Sequence, residues 1–321
     1  MATTRLEYID RIKGFAILCV IMGHYVFYAL DQKGIISEII GSFQMPLFMF
    51  MSGYVISSVP SLKKCCKKVI TFMLPMLFIG SMYVWASGGT MSAWIQTPFK
   101  YGYWYLYVLS IFYVLLFLMG KIGRGGMKKA IFAVGIFILL CVINYFVPKT
   151  WNDIFSLWML KLYWPFFISA FFVRQMNFLP LLIKNNYIYS ISLIGYFVGF
   201  VLYINDHPHL FHLNAFFFIA VVVYIFMITE RHDNIATKTL SYFGRHTLEI
   251  YILHFFIIHL TCLGMVGKWF VETRNVFLEV ILGIVYSVTV AYICILIGKV
   301  LHLSNFVNNI VFGSFVNKKK E

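Results

Sequence analysis

Acidic side chains are scarce in this sequence: 12 aspartates and glutamates stand against 26 lysines and arginines in 321 residues. Charged residues of either sign make up only 12% of the chain. A soluble domain carries about a quarter charged residues, so a soluble globular protein is excluded. No Gly-x-x-x-x-Gly-Lys-Ser/Thr stretch occurs, and no Gly-x-Ser-x-Gly, which argues against chemistry driven by bound ATP and against a serine hydrolase elbow. The six cysteines (Cys19, Cys65, Cys66, Cys141, Cys262, Cys294) have no metal-ligand spacing, and no disulfide framework is expected. No Pro/Ser-rich linker, internal repeat or cleavable signal peptide is evident, so a single domain over 1–321 is expected, with a short basic tail at 316–321.

What fills the chain instead is apolar. Hydrophobic residues are 61% of it, and the mean hydropathy is +0.83. Ten apolar segments can be read, at roughly 12–31, 37–58, 69–87, 103–119, 130–147, 157–173, 186–204, 213–229, 246–263 and 277–300. Backbone polar groups in hydrocarbon must be satisfied within the segment, so each is expected to be a helix. The fold class expected is all-α: a polytopic membrane helix bundle of about ten transmembrane helices in a cell (cytoplasmic) membrane. The net charge of +14 does not point to nucleic acid, because the cations cluster between apolar segments as orientation signals do. Placing both termini in the cytoplasm puts about 20 of the 26 lysines and arginines on that side. Trp85, Trp94, Trp104 and Trp151 fall near segment ends, where an aromatic belt is expected.

Against this background, ionisable residues inside segments stand out. IDRIKGFAILCVIMGH (9–24) opens with charges and ends in a histidine. At ~100° per residue, His24 falls about 20° from Lys13, Asp31 about 0°, and Asp10 and Tyr28 about 60°. These polar groups form a seam, with Lys13 and His24 ~16 Å apart along the axis. Ionisable groups at such depth mark a site or pathway by default, although an interhelical hydrogen bond and a positive-inside lysine would account for them separately. In the ninth segment Thr247, Tyr251, His254 and Thr261 share a second polar stripe. Glu249, near Arg245 and His246, fits a local ion pair. Ser52-Gly53 would let a neighbouring helix approach, and Met45-Pro46 interrupts a helix that could line a cavity. The lysines of SLKKCCKK (Lys63, Lys64, Lys67, Lys68), read as a basic loop, suit a phosphate or anionic headgroups equally well. No metal site is expected, including at the histidines of NDHPHLFH (205–212).

Taken together, Asp10-x-x-Lys13-Gly14 with His24, FQMPLFMFMSGY (43–54), the basic stretch before Leu74-Pro75, Tyr103-Trp104-Tyr105-Leu106 and GRHTLEIYILH (244–254) resemble acyltransferase family 3. The resemblance runs in order over nearly the whole chain. Lysines stand here where that family commonly has arginines, and a lysine is a point charge without the guanidinium fork.

The resemblance implies transfer of an acyl group, acetyl by expectation, from acyl-CoA to a hydroxyl of a cell-envelope polysaccharide or related glycan. Acyl-CoA would be a co-substrate, and no resident cofactor is implied. His24 would be the general base, and Lys13, Asp10, His254 and Tyr251 its catalytic companions. The four lysines would hold the donor, while Tyr28, Ser52, Gly53, Trp104 and Glu249 would line the cavity. The partners expected are acyl-CoA, the acceptor and the lipid bilayer. Two other classes suit the same buried polar groups: an exporter of polysaccharide or small solute, and a non-catalytic partner in a glycan-synthesis complex.

Overall fold

A computed structural model describes residues 6–30, 35–122, 125–179, 185–205, 210–261, 263–273 and 275–313. The tail at 316–321 and Asp31 of the polar seam lie outside them, as do His207 and His209. In chain order the helices are α1 (Glu7–His24), α2 (Ile35–Gly41), α3 (Gln44–Tyr54), α4 (Leu62–Ala86), α5 (Met91–Gln96) and α6 (Trp104–Lys121). Next come α7 (Gly126–Phe146), α8 (Lys149–Ile154), α9 (Leu157–Gln175), α10 (Asn186–Ile204) and α11 (Phe211–Ile228). The last are α12 (Ile235–Arg245), α13 (Thr247–Leu260), α14 (Gly264–Thr273), α15 (Val276–His302) and α16 (Asn305–Phe312).

No strand occurs among the described residues. Eight spans there are long and apolar enough to cross a membrane, or nine if the bent pair α13 and α14 counts as one. Among the described residues each of the ten apolar segments falls largely on helix, the second on two helices, α2 and α3, parted at Ser42-Phe43. The sixth, α9, is 19 residues long but is not among the eight; Lys161, Pro165, Arg174 and its tryptophans and tyrosine dilute its apolar character. SLKKCCKK is not a loop. It forms the first two turns of α4, with the Ser61 hydroxyl accepting from the Lys64 N–H at the N-cap. Neither lysine nor cysteine breaks a helix, so the span simply begins earlier than its hydropathy does. Pro46 sits in the first turn of α3, where its missing N–H costs no helical bond.

The chain divides into two compact units, Met1–Val55 with Ala170–Ile295, and Ile56–Ser169 with Leu296–Glu321. In the first unit α1 is the hub, packed on α2, α3, α11, α12 and α13, with its heaviest contact on α12. That contact is backbone on backbone. A methyl group on Gly14 would overlap the Leu240 carbonyl, and one on Gly244 would overlap the Asp10 carbonyl. Only glycine lets the two helices come so close, as small residues do at interfaces in lipid. α12 is held in turn by an Asn234–Thr237 capping box at its start.

Arg11, 2% exposed, leaves α1 to donate to the carbonyls of Thr229 and His232, both at 3.0 Å, and to the Glu7 carboxylate at 3.2 Å. It thereby caps the C-terminal end of α11, where orphan carbonyls and the helix dipole favour a cation.

In the second unit α4 packs on α6 and α16. Gly313, in the left-handed conformation at φ 61°, ends α16 against Thr71. Between the end of α5 and the start of α6, Lys100 is 4% exposed, and its ammonium donates to three backbone carbonyls: Ile95 (2.6 Å), Thr97 (2.8 Å) and Asp153 (3.0 Å). Burial pulls this ammonium down to about 8 from the usual lysine range, while the Asp153 carboxylate acts in the opposite direction. The Lys100 carbonyl accepts from the Trp94 indole at 3.1 Å, which closes the loop on α5.

Gly14→Ala and Gly244→Ala should each cost about 1–3 kcal/mol through overpacking at the backbone contact. The loss should appear as a lower thermal midpoint of the purified protein, while Gly135→Ala, where a methyl meets nothing, should leave the midpoint in place. Lys100→Met should strip three buried carbonyls of their donor at about 1–3 kcal/mol for each left unsatisfied. The same thermal measurement would read that loss.

Candidate active site

His24 is the last residue of α1, and the backbone turns π-helical immediately after it, over Tyr25–Ala29. The wide turn is closed by the Leu30 N–H on the Tyr25 carbonyl at 3.0 Å. Single π turns inside α-helices recur at functional sites. Here the turn ends the 100° stepping on which the polar seam was drawn, so the seam holds only as far as His24. Tyr28 nonetheless comes back beside it, with ring centroids 5.6 Å apart, and is 57% exposed. The carbonyl of Ala29 accepts from the Leu263 N–H at 2.9 Å. The end of α1 is thereby tied to the break that follows α13.

His254 stands midway along α13, ahead of that break. Its imidazole is 0% exposed and lies 5.4 Å from the His24 ring, stacked at 24°. Phe255 closes the group, 4.7 Å from His24 and 4.2 Å from His254. The Nδ1 of His254 reaches the carbonyls of Tyr251 (2.7 Å) and Ile250 (3.1 Å). Carbonyls only accept, so Nδ1 carries the proton and Nε2 the lone pair. That Nε2 is buried and has no hydrogen-bond partner among the described residues. The arrangement is two imidazoles with nearly parallel planes, one half-buried on α1 and one sealed on α13 with a bare basic nitrogen.

The other residues expected at the site separate between the two units. In the first, Asp10 is buried and Lys13 half-buried on α1, and Tyr251 lies with its ring 5.9 Å from that of His254. Glu249 meets the His246 Nδ1 at 3.4 Å, three residues away on the same turn. Ser52 turns its hydroxyl back to the Phe48 carbonyl at 2.9 Å, beside the buried Gly53. In the second unit, Lys63, Lys64 and Lys68 are exposed and Lys67 half-buried on the opening turns of α4. Trp104, also in that unit, begins α6 with its ring stacked 4.8 Å from that of Tyr163. No group of three or more His, Cys, Asp or Glu side chains able to hold a metal comes together among the described residues.

Two neighbours of His24 were not picked out from sequence. Gln44 opens α3 with its amide against Gly23: a methyl on that glycine would stand 2.6 Å from Oε1 and 3.1 Å from Nε2. Its Oε1 is buried without a partner among the described residues. Phe255 is the other. The only signal for either was adjacency, Gln44 within FQMPLFMFMSGY and Phe255 directly after His254.

Compared with known protein families, residues 6–296 match the acyltransferase domain family, acyltransferase family 3. No curated protein and no solved structure matches the chain. The matched stretch takes in both helices that carry the paired imidazoles and the glycine crossing that aligns them. Over nearly its whole length, then, the chain belongs to the acyltransferase domain family, and it is a multi-pass membrane acyltransferase.

Proposed function

We propose that the protein moves an acyl group, acetyl in the simplest case, from cytoplasmic acyl-CoA to a hydroxyl of a cell-envelope glycan. The observation that carries this reading is the stacked His24–His254 pair, with the buried lone pair on the His254 Nε2. In the proposed step His24 takes the proton of the acceptor hydroxyl as its oxygen attacks the thioester carbonyl. The carbon–sulfur bond breaks, and the departing thiolate receives that proton from His24. The products are an ester and free CoA, so the thioester supplies the driving force. His254 serves as a positioning residue: its Nε2 accepts from the N–H of His24 once the acceptor is bound, leaving the other nitrogen of His24 as the base. A positioned base of this kind contributes about 10²–10⁴-fold.

The donor is assigned to the cationic start of α4. The opening turns of α4 offer four lysines and no acidic residue, a charge pattern adverse to a helix N-terminus that a phosphate would offset. Both termini are assigned to the cytoplasm, and the membrane to the cytoplasmic one, from the distribution of basic residues.

His24→Ala should lower acyl transfer from acetyl-CoA by about 10²–10⁴-fold with membrane expression intact. Acyl content of the envelope glycan, read by mass spectrometry, should fall with it. Unchanged acyl content with a loss of polysaccharide or solute flux would instead favour an exporter, and no response at all a non-catalytic partner. Replacing Lys63, Lys64, Lys67 and Lys68 together by serine should raise KM for acetyl-CoA, weaken its dependence on salt, and leave kcat nearly unchanged. A KM and salt dependence that did not move would remove those lysines from the donor site.

A further inference from the structure

Three helix ends meet at one end of the first unit. Tyr8 lies in the opening turn of α1, Tyr54 closes α3, and Arg174 is the last residue but one of α9. The Tyr8 and Tyr54 hydroxyls bond to each other at 3.1 Å, and the Arg174 guanidinium sits over the Tyr54 ring, 5.3 Å from its centroid. The backbone fixes Arg174 in that place. The Phe178 N–H reaches the Val173 carbonyl at 3.1 Å and the Asn177 N–H the Arg174 carbonyl at 3.3 Å, with Asn177 left-handed at φ 50°. Those two bonds are the Schellman ending of a helix.

This end of the unit holds donors without acceptors. Two phenols bonded to each other use one proton between them. One O–H of a pair only 5% and 2% exposed is therefore unspent among the described residues. No carboxylate pairs with Arg174 among those residues, and Glu7 is taken by Arg11. Arg11, on the turn after Tyr8, keeps its own Nε–H buried and without a partner there. Buried donors in folded proteins are nearly always paired, so the acceptor comes from outside the chain. A guanidinium fork takes two oxygens of a phosphate, and a phosphate, unlike a carboxylate, has a third left for the phenol. Just beyond Tyr54 and Arg174, the exposed Val55, Met176 and Phe178 offer an apolar surface.

We propose that Arg174, Tyr54 and Tyr8 form a seat for a phosphate group at this end of the first unit. Arg174 grips two oxygens, and the spare phenol proton meets a third. A phospholipid headgroup brings the phosphate together with acyl chains for the exposed apolar residues, whereas a free phosphate brings it alone. The charges of Arg174 and of the exposed Glu230 both reach the Tyr8 hydroxyl, so removing the Glu230 charge favours an anion. The proposal stands apart from the acyl-transfer reading, since binding without turnover tests it.

The test titrates the full chain, purified in detergent and stripped of lipid, with dioleoylphosphatidylglycerol in one arm and inorganic phosphate in the other. Native mass spectrometry counts the bound lipid, and calorimetry follows the phosphate. Arg174→Gln should weaken binding by about tenfold or more, the scale of a lost charged hydrogen bond. Arg174→Lys should recover only part of it, because a point charge lacks the fork. Tyr54→Phe should weaken binding by about threefold, as for a neutral bond, and Glu230→Gln should tighten it by about twofold. Arg231→Gln removes another exposed arginine; it is the control and should change neither arm.

A loss in either arm supports the seat, and the arm that responds names the source of the phosphate. Binding that Arg174→Gln and Tyr54→Phe leave unchanged in both arms overturns it. So does an unaltered protein that binds neither probe, or a control that weakens binding as much as Arg174→Gln. If Arg174→Gln fails to fold, judged by its thermal midpoint, Tyr54→Phe and Glu230→Gln decide, because a structural defect does not produce opposite signs.

Discussion

The structure of the first unit depends on the contact between α1 and α12, where Gly14 meets the Leu240 carbonyl and Gly244 meets the Asp10 carbonyl. In hydrocarbon there is no hydrophobic gain from pressing two apolar helices together, and close backbone approach supplies the attraction instead. Each glycine is the partner of a backbone atom on the other helix, so the two positions constrain one another. The two halves of the sequence signature, Asp10-x-x-Lys13-Gly14 and Gly244-Arg245-His246, are therefore the two sides of one crossing. Because α13 follows α12 after a single residue and α1 carries His24, aligning that crossing also aligns the imidazoles.

Much of this could be read in advance from particular residues. The apolar segments declared the helices because backbone bonding in lipid leaves no other choice, and His24 and His254 drew notice because ionisable groups at that depth are expensive. α12 escaped the same reading. Its 11 residues alternate apolar and polar positions around the helix, so an average over a membrane-length window dissolves it into a loop. The π turn escaped for another reason: a widened turn conserves composition and changes only register, which a constant angular step cannot detect.

Charge misled where it turned out to be structural. By position Arg11 reads as one of the cytoplasmic cations and Lys100 as one of the few outside, yet both are buried and spent on backbone carbonyls, one at the end of α11 and the other in the loop before α6. Gln44 stayed silent because one amide in an apolar segment has a dozen ordinary explanations. Only the absence of a partner for its buried Oε1 among the described residues separates it from those. The lysines of α4 were recognised as cationic but misplaced as loop, since Ser61 and the helix it caps come before the hydropathy rises.

The lysine held in its carbonyl cage invites comparison with an ion site. Three convergent carbonyls are the kind of nest that elsewhere captures a dissolved potassium or sodium ion. Here the ion is covalently leashed to the polypeptide, so it cannot diffuse away, be exchanged or be chelated. That corner of the molecule carries its own cation for as long as the ammonium keeps its proton, which burial makes harder to hold.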